Sequence, residues 1–276
     1  MAVDQIRRHA YTYRIFGNNS QFHIRRLNDQ DHKQALDLIL SEILRNPEFY
    51  GLGSGSNILI SDVNALMAFM EMLLKKNQDY ILGCYAGRAN CLVGVDLTYI
   101  HFYDDGPMEM SGGSVAVQNY LKYVKFVQRN LWHGRRGAKH ISILISLGIF
   151  LKQETRYNNI DSIRNMLMAR KSYARARGIK FIGQAFSGKK IQKMAKKLKY
   201  RDLRPSKVEI TTQNAENYDL GHLRGTDMLP IKLLGVTLMT SDENERPISD
   251  EELLPEPEPS TSYSNIRDLF SKSHFH

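Results

Sequence analysis

The chemistry of this sequence is concentrated between His140 and Tyr200. There the apolar run from Ile141 to Leu151 passes through Arg156-Tyr-Asn-Asn-Ile-Asp-Ser162 into a long helical pattern. A turn between a strand and a helix N-terminus presents free backbone N–H groups and the positive end of the helix dipole, and both suit phosphate oxygens. Arg156, Tyr157, Asn158, Asn159, Ile160, Asp161 and Ser162 are therefore candidate ligands of a phosphate-bearing cofactor. Metal chemistry is not expected. His101, His133, His140 and His222 are isolated in sequence, and Cys84 and Cys91 match neither zinc-ligand spacing nor a redox Cys-x-x-Cys. The two cysteines read as buried thiols in a reducing compartment. Gly51-Leu-Gly-Ser-Gly-Ser56 lacks the Lys-Ser/Thr of a phosphate loop and reads as a flexible turn.

The elements that must position this stretch follow from periodicity. Phe22–Leu27 alternates as a half-buried strand, and Asn28 or Asp29 then caps a helix with Ala35, Leu36, Ile39, Leu40, Ile43 and Leu44 on one face, stopped by Pro47. A second amphipathic helix spans Val63–Leu74. Tyr80–Tyr85 and Ala89–Ile100 form an antiparallel pair about the turn at 86–88, and Val117–Trp132 is a third helix. Ile141–Phe150 reads as a strand buried on both faces. A helix with Ile160, Ile163, Met166, Leu167 and Ala174 follows and stops at Gly178. Then come a strand over Phe181–Phe186, a short helix over Gly188–Leu198, a strand start over Tyr200–Leu203 and a last strand over Ile231–Met239. No internal repeat is visible. The pattern predicts residues 1–20 as an irregular lead-in, a single mixed α/β domain over 21–240, and an acidic, Pro/Ser-rich disordered tail over 241–276.

A formal net charge of +9 argues for anionic partners, and its distribution narrows them. Lys171, Arg175, Arg177, Lys180, Lys189, Lys190, Lys193, Lys196, Lys197, Lys199 and Arg201 are matched by one acid, Asp202. Such a run reads as a solvated or cofactor-adjacent face. Aromatic interleaving is sparse, so nucleic acid is not expected as a partner. The first residues contain no apolar signal region and no apolar run approaches bilayer length, so a soluble cytoplasmic protein without membrane association is expected.

In this order the elements resemble the GNAT superfamily of N-acetyltransferases, most of all its arylalkylamine N-acetyltransferase-like members. The resemblance covers Phe22–Met239. It rests on Ile24-Arg-Arg-Leu-Asn-Asp-Gln-Asp31 before the first helix, on the strand ending Leu92-Val-Gly-Val-Asp-Leu97, and most closely on Ile149–Tyr200. It implies a central, mixed, mostly antiparallel sheet flanked by helices, acetyl-CoA as cosubstrate without a metal, and a small primary amine as acceptor. By position Phe150 and Leu151 would give main-chain contacts to pantetheine, and Arg156 heads the pyrophosphate loop. Asn159 and Asp161 stand where the family has glycines, and Asp161 brings a carboxylate towards a polyanion, where like charges repel. The family's Glu-Pro pair, whose Glu is its general base, is here Asn46-Pro47. An amide accepts no proton, which leaves Glu48 as the nearby carboxylate. The tyrosine that other members use as general acid falls at Ala195. Ser187 follows the fifth strand, where arylalkylamine members place an active-site serine; it reads equally as a helix N-cap before Gly188. Two functions stay open: an N-acyltransferase, or a catalytically weak or inactive member of the fold that binds a ligand or partner.

Overall fold

The structure, a computed structural model, describes residues 22–52, 58–86, 91–102, 105–109, 113–132, 142–154, 160–202, 208–224, 226 and 228–238. The expectations for 1–20 and for the tail over 241–276 lie outside these residues. Among the described residues a seven-stranded sheet runs β1 (Phe22–Arg26), β2 (Leu82–Ala86), β3 (Cys91–Phe102), β4 (Ser142–Leu151), β5 (Phe181–Ser187), β7 (Ile231–Thr237), β6 (Glu209–Ile210) from edge to edge. Every neighbouring pair is antiparallel except β4 and β5, which are parallel. This is the mixed, mostly antiparallel sheet that the resemblance implies.

Among the described residues five α-helices cover the sheet: α1 (His32–Arg45), α2 (Ile60–Lys76), α3 (Val115–Trp132), α4 (Ile160–Ala176) and α5 (Lys189–Lys197). Side chains alternate across a strand, and the alternation sorts the helices into two layers. Tyr85, Val95, Leu97, Tyr99, Ile143, Ile145 and Leu147 join one core with α1, α2 and α3. Leu82, Cys84, Val93 and Leu151 join a second core with Met166, Ala169 and Tyr173 of α4. On α1 the buried residues are Ala35, Ile39 and Ile43, a narrow stripe at four-residue spacing. Pro47 ends that helix as expected and opens a 3₁₀ turn, Pro47–Tyr50.

Several expectations are corrected. Of the strand start expected over Tyr200–Leu203, the described residues Tyr200, Arg201 and Asp202 form no strand: Arg201 makes a lone bridge to Gly235, and the seventh strand is instead Glu209–Ile210, two residues too short to leave a periodic signal. Cys84 is buried, with its thiol pushed up to about 12 by burial, whereas Cys91 starts β3 at an exposed position. Ile160 is 43% exposed and so lies off the apolar stripe of α4. The basic run is not one solvated face either. Lys171 is buried with Nζ donating to the Leu198 carbonyl (3.4 Å), and the arginine just before it, Arg170, has no exposed surface at all.

That arginine has specific partners. Its Nε and Nη2 donate to the two carboxylate oxygens of Asp96 on β3 (2.6 and 2.8 Å), Nη1 to Gln184 Oε1 on β5 (2.6 Å), and Nη2 also to Ser146 Oγ on β4 (3.0 Å). Ser146 Oγ in turn donates to Asp96 Oδ1 (2.8 Å). Burial works against the guanidinium charge, but the Asp96 carboxylate and then Tyr200 more than restore it, and the pKa is raised.

On the other face α3 lies close to β5. A Cβ added at Gly183 would come within 2.4 Å of both methyls of Leu131, whose side chain is fully buried. Gly183→Ala is expected to lower stability by about 1–3 kcal/mol through overpacking, read as an earlier denaturant midpoint with unchanged slope.

Candidate active site

The parallel ladder between β4 and β5 is short. It pairs Ile143 with Phe181, Leu144 with Ile182, Ile145 with Gly183 and Ser146 with Gln184, and then stops, although β4 runs on to Leu151 and β5 to Ser187. The cause lies in β4. Leu97 pairs with Gly148 but Thr98 with Ser146, so Leu147 is an extra residue, a bulge that bends its strand and increases its twist. β5 has no such irregularity and stays paired with β7 along its whole length. The two strands therefore part beyond Ser146 and Gln184.

Among the described residues the parting leaves a strand edge without a ladder partner inside the fold. Lys152 N–H donates to the Val93 carbonyl (2.8 Å), which makes residues 152 and 93 a hydrogen-bonded antiparallel pair. Such pairs alternate, so Phe150 opposite Val95 belongs to the same class and spends its backbone groups on β3. The N–H and C=O groups of Ile149 and Leu151 point the other way, towards β5. Of the two residues expected to contact pantetheine, Leu151 thus turns its backbone to the cleft, and Phe150 contributes a side chain that is only 2% exposed.

An aromatic wall closes over the bulge from the side of α1–α3. The Tyr120 hydroxyl of α3 donates to the Leu147 carbonyl at 3.4 Å. The Tyr120 ring lies 5.5 Å from Tyr50, 5.9 Å from Tyr123 and 6.1 Å from Phe69, and Phe49 sits edge-on to Tyr123 at 5.2 Å. Burial, and next the neighbouring tyrosines, raise the pKa of Tyr50 and Tyr120; burial alone raises that of Tyr123. These phenols stay neutral, and that of Tyr120 acts as a hydrogen-bond donor. Gly51 ends the 3₁₀ turn with φ +69°, and its missing Cβ leaves room for Asn119 of α3, 2.4 Å from where that atom would be.

The other candidates fall at separate places. Glu48 is exposed on the turn, whereas Phe49 and Tyr50 beside it are buried. Asn46 donates to Glu42 Oε1 (2.8 Å) and helps finish α1. Ser187 is the last residue of β5, and the N-cap of α5 is Gly188, so the N-cap reading of Ser187 does not hold. Gln192 Nε2 donates to the carbonyls of Phe186 (3.0 Å) and Pro230 (2.9 Å), which holds the strand end that carries Ser187. Ile160 and Asp161 are exposed at the start of α4 and Ser162 is buried; Arg156, Tyr157, Asn158 and Asn159 lie outside the described residues.

One residue gained importance only in three dimensions. His222, on a short 3₁₀ turn (Gly221–Leu223), bonds to the backbone of Phe49, and its Nε2 atom is buried with no hydrogen-bond partner. Burial, and then Lys122, lower its pKa below 6.5 despite the Phe49 bond, so the ring is neutral at pH 7. Nothing local in the sequence marks it, because its partners Phe49 and Lys122 are distant in the chain. No group of three or more His, Cys, Asp or Glu among the described residues could hold a metal ion.

The arrangement is that of a known fold. A solved structure named as arylalkylamine N-acetyltransferase 7 of the yellow fever mosquito Aedes aegypti matches 82% of this chain and 93% of its own, with TM-score 0.64 and 16% identity. The C-terminal condensation domain of Ebony, solved with β-alanyl-dopamine, matches 79% of this chain and 99% of its own (TM-score 0.59, 13% identity). A mosquito arylalkylamine N-acetyltransferase-like 5b matches 79% and 100% (TM-score 0.56, 15% identity). No protein-family model and no curated protein matches the sequence. At these identities the likeness establishes the fold: a GNAT acetyltransferase fold, as in the arylalkylamine N-acetyltransferases.

The Tyr120 hydroxyl bonds α3 to the bulge. Tyr120→Phe should cost about 0.5–1.5 kcal/mol, the usual net worth of such a bond, in chemical denaturation. The fold should persist in circular dichroism.

Proposed function

We propose that this chain is an N-acyltransferase that moves an acetyl group from acetyl-CoA to the primary amine of a small, arylalkylamine-like acceptor, in the cytoplasm. The observation that carries this reading is the parting of β4 and β5 beyond Ser146 and Gln184, which leaves the backbone of Ile149 and Leu151 turned to an open cleft. Amide groups along a pantetheine arm would complete the ladder that β5 leaves unfinished, much as an added strand does at a sheet edge. The fit is therefore good along the strands. It is poorer at α4, where the exposed carboxylate of Asp161 stands in the first turn, the place that favours a pyrophosphate.

The chain's own residues then divide the work. Leu151 and Ile149 hold and orient the acyl donor through the main chain, and backbone N–H groups of the strand edge steady the oxyanion. Phe49, Tyr50, Tyr120 and Tyr123 offer ring faces and neutral hydroxyls for an aromatic acceptor. His222 takes the amine proton, directly or through water, because it is neutral at pH 7 and packs on the same turn; Glu48 on that turn is exposed and reaches solvent instead. Ser187 at the end of β5 is placed to orient the acceptor or protonate the departing thiolate. Supporting this, solved proteins of the fold include enzymes named for arylalkylamine and polyamine N-acetylation.

A second reading, a ligand- or partner-binding protein of the same fold without turnover, is favoured by Asp161 and by Asn46, which is occupied with Glu42. Calorimetric titration with acetyl-CoA, followed by thiol release across a panel of amines, separates the two. Binding with turnover is expected, and Asp161→Gly should tighten binding about tenfold, the equivalent of one removed like-charge contact of ~1.4 kcal/mol. Absence of binding at millimolar acetyl-CoA rules out the transferase; binding without turnover on any amine selects the second reading.

The histidine assignment predicts a pH profile. A base must be deprotonated, so kcat/KM should fall only below pH 6.5, where the lowered pKa of His222 lies, and His222→Ala should remove that acid limb along with most of kcat. Retention of the limb in the variant would move the role to another group. Stability carries the same sign: the folded ring holds its proton less tightly than the unfolded one, so this contribution is present above pH 6.5 and lost as pH falls through the lowered pKa.

A further inference from the structure

We infer that Arg170 is a positioning residue that sets how far β4 and β5 stand apart at the mouth of the cleft, and so where an acyl donor can lie. The role of the opening as a donor site rests on the reading above; the setting of the strands does not.

The geometry places the arginine at the fork itself. Ser146 and Gln184 are the last paired residues of the parallel ladder, and Nη2 and Nη1 of Arg170 hold their side chains at 3.0 and 2.6 Å. Nε and the same Nη2 are fixed to the two oxygens of Asp96, which β3 carries next to the bulged part of β4. Guanidinium is planar and rigid, so three acceptors on three strands are held at separations set by one fork. On the opposite face the Tyr120 hydroxyl holds the Leu147 carbonyl one residue further on. The point of divergence is thus pinned from both sides of the sheet.

The physical need for a pin follows from the ladder. Only four rungs join β4 to β5. Beyond them each strand has an edge of backbone donors and acceptors that would gain by pairing with the other and closing the cleft. A fixed spacing at the last rung, with the bulge directing β4 away, opposes both closure and further fraying. An apolar side chain at position 170 would fill the space but could not set the distance between Ser146 and Gln184.

The test separates positioning from stability. In Ser146→Ala/Gln184→Met the arms to β4 and β5 are lost while the Asp96–Arg170 pair remains. In Asp96→Leu/Arg170→Met the ion pair is replaced by apolar side chains, an exchange that buried ion pairs often tolerate, while Ser146 and Gln184 stay in place. Both double variants are made in the full chain, because Arg170→Met alone would strand a buried carboxylate. Amide hydrogen exchange of 147–151 and 185–187 is expected to change at least tenfold in both, and the Kd for acetyl-CoA to weaken at least tenfold while kcat at saturation falls less. Exchange at wild-type rates in these segments, in variants that stay folded, would overturn the inference. So would unchanged acetyl-CoA binding. If the wild-type chain binds no acetyl-CoA the functional reading fails, and the exchange measurement still decides the role of Arg170. Arg170→Lys adds a control: a lysine keeps the charge beside Asp96 but cannot span the fork. It should recover the denaturation midpoint without recovering wild-type exchange.

Discussion

A fully buried guanidinium holds the centre of this fold together. Arg170 and Asp96 are both without exposed surface, and taking two charges out of water is expensive. The outlay is balanced only because every arm of the arginine finds an acceptor: two oxygens of Asp96, one of Gln184 and one of Ser146. Breaking such a pair on one side typically costs about 3–5 kcal/mol, since the surviving charge is left uncompensated. Replacing the whole set costs far less, so the network contributes more to geometry than to stability. It joins α4 to three strands at the one place where the sheet changes from antiparallel to parallel and then divides.

The cleft follows from that division and from one extra residue. The bulge at Leu147 turns β4 while β7 keeps β5 straight, so a strand edge opens inside the protein instead of at its rim. Edges elsewhere in the sheet are short, five residues in β1 and two in β6. An open edge in the interior is costly unless something satisfies it, and an amide-bearing ligand is a natural partner. The aromatic turn after α1, packed on α3, then supplies a wall of opposite character, apolar with neutral hydroxyls. Solved proteins of this fold are named for acetylating different amines. Fold alone does not choose among them.

Much of the order of elements was legible in the sequence, because periodicity reports burial. Ala35, Ile39 and Ile43 mark α1, and the unbroken apolar run of β4 marks a strand covered on both faces. Failures came where the signal is not periodic. Glu209–Ile210 is too short to show a period and owes its strand state to β7. Lys171 looked like part of a basic surface and Arg170 beside it carried no signal of its own, since a charge on a helix is ordinarily solvated and only a distant Asp96 explains the exception. His222 carried no local pattern at all. Each of these depends on a partner more than twenty residues away, which a local reading cannot supply.

By itself the sequence determined the helices, most strands, the succession of β4 and α4 and the resemblance to an acetyltransferase fold, because local propensity and hydrophobic period are properties of neighbouring residues. Tertiary structure alone decided that the backbone of Leu151 faces the cleft while that of Phe150 does not, that Glu48 is exposed while His222 is tucked under the same turn, and that Arg170 is buried. These are matters of register and of long-range pairing. A shift of one residue at the Leu147 bulge reverses which backbone groups point outward, and a buried charge exists only where the fold brings its counter-charge.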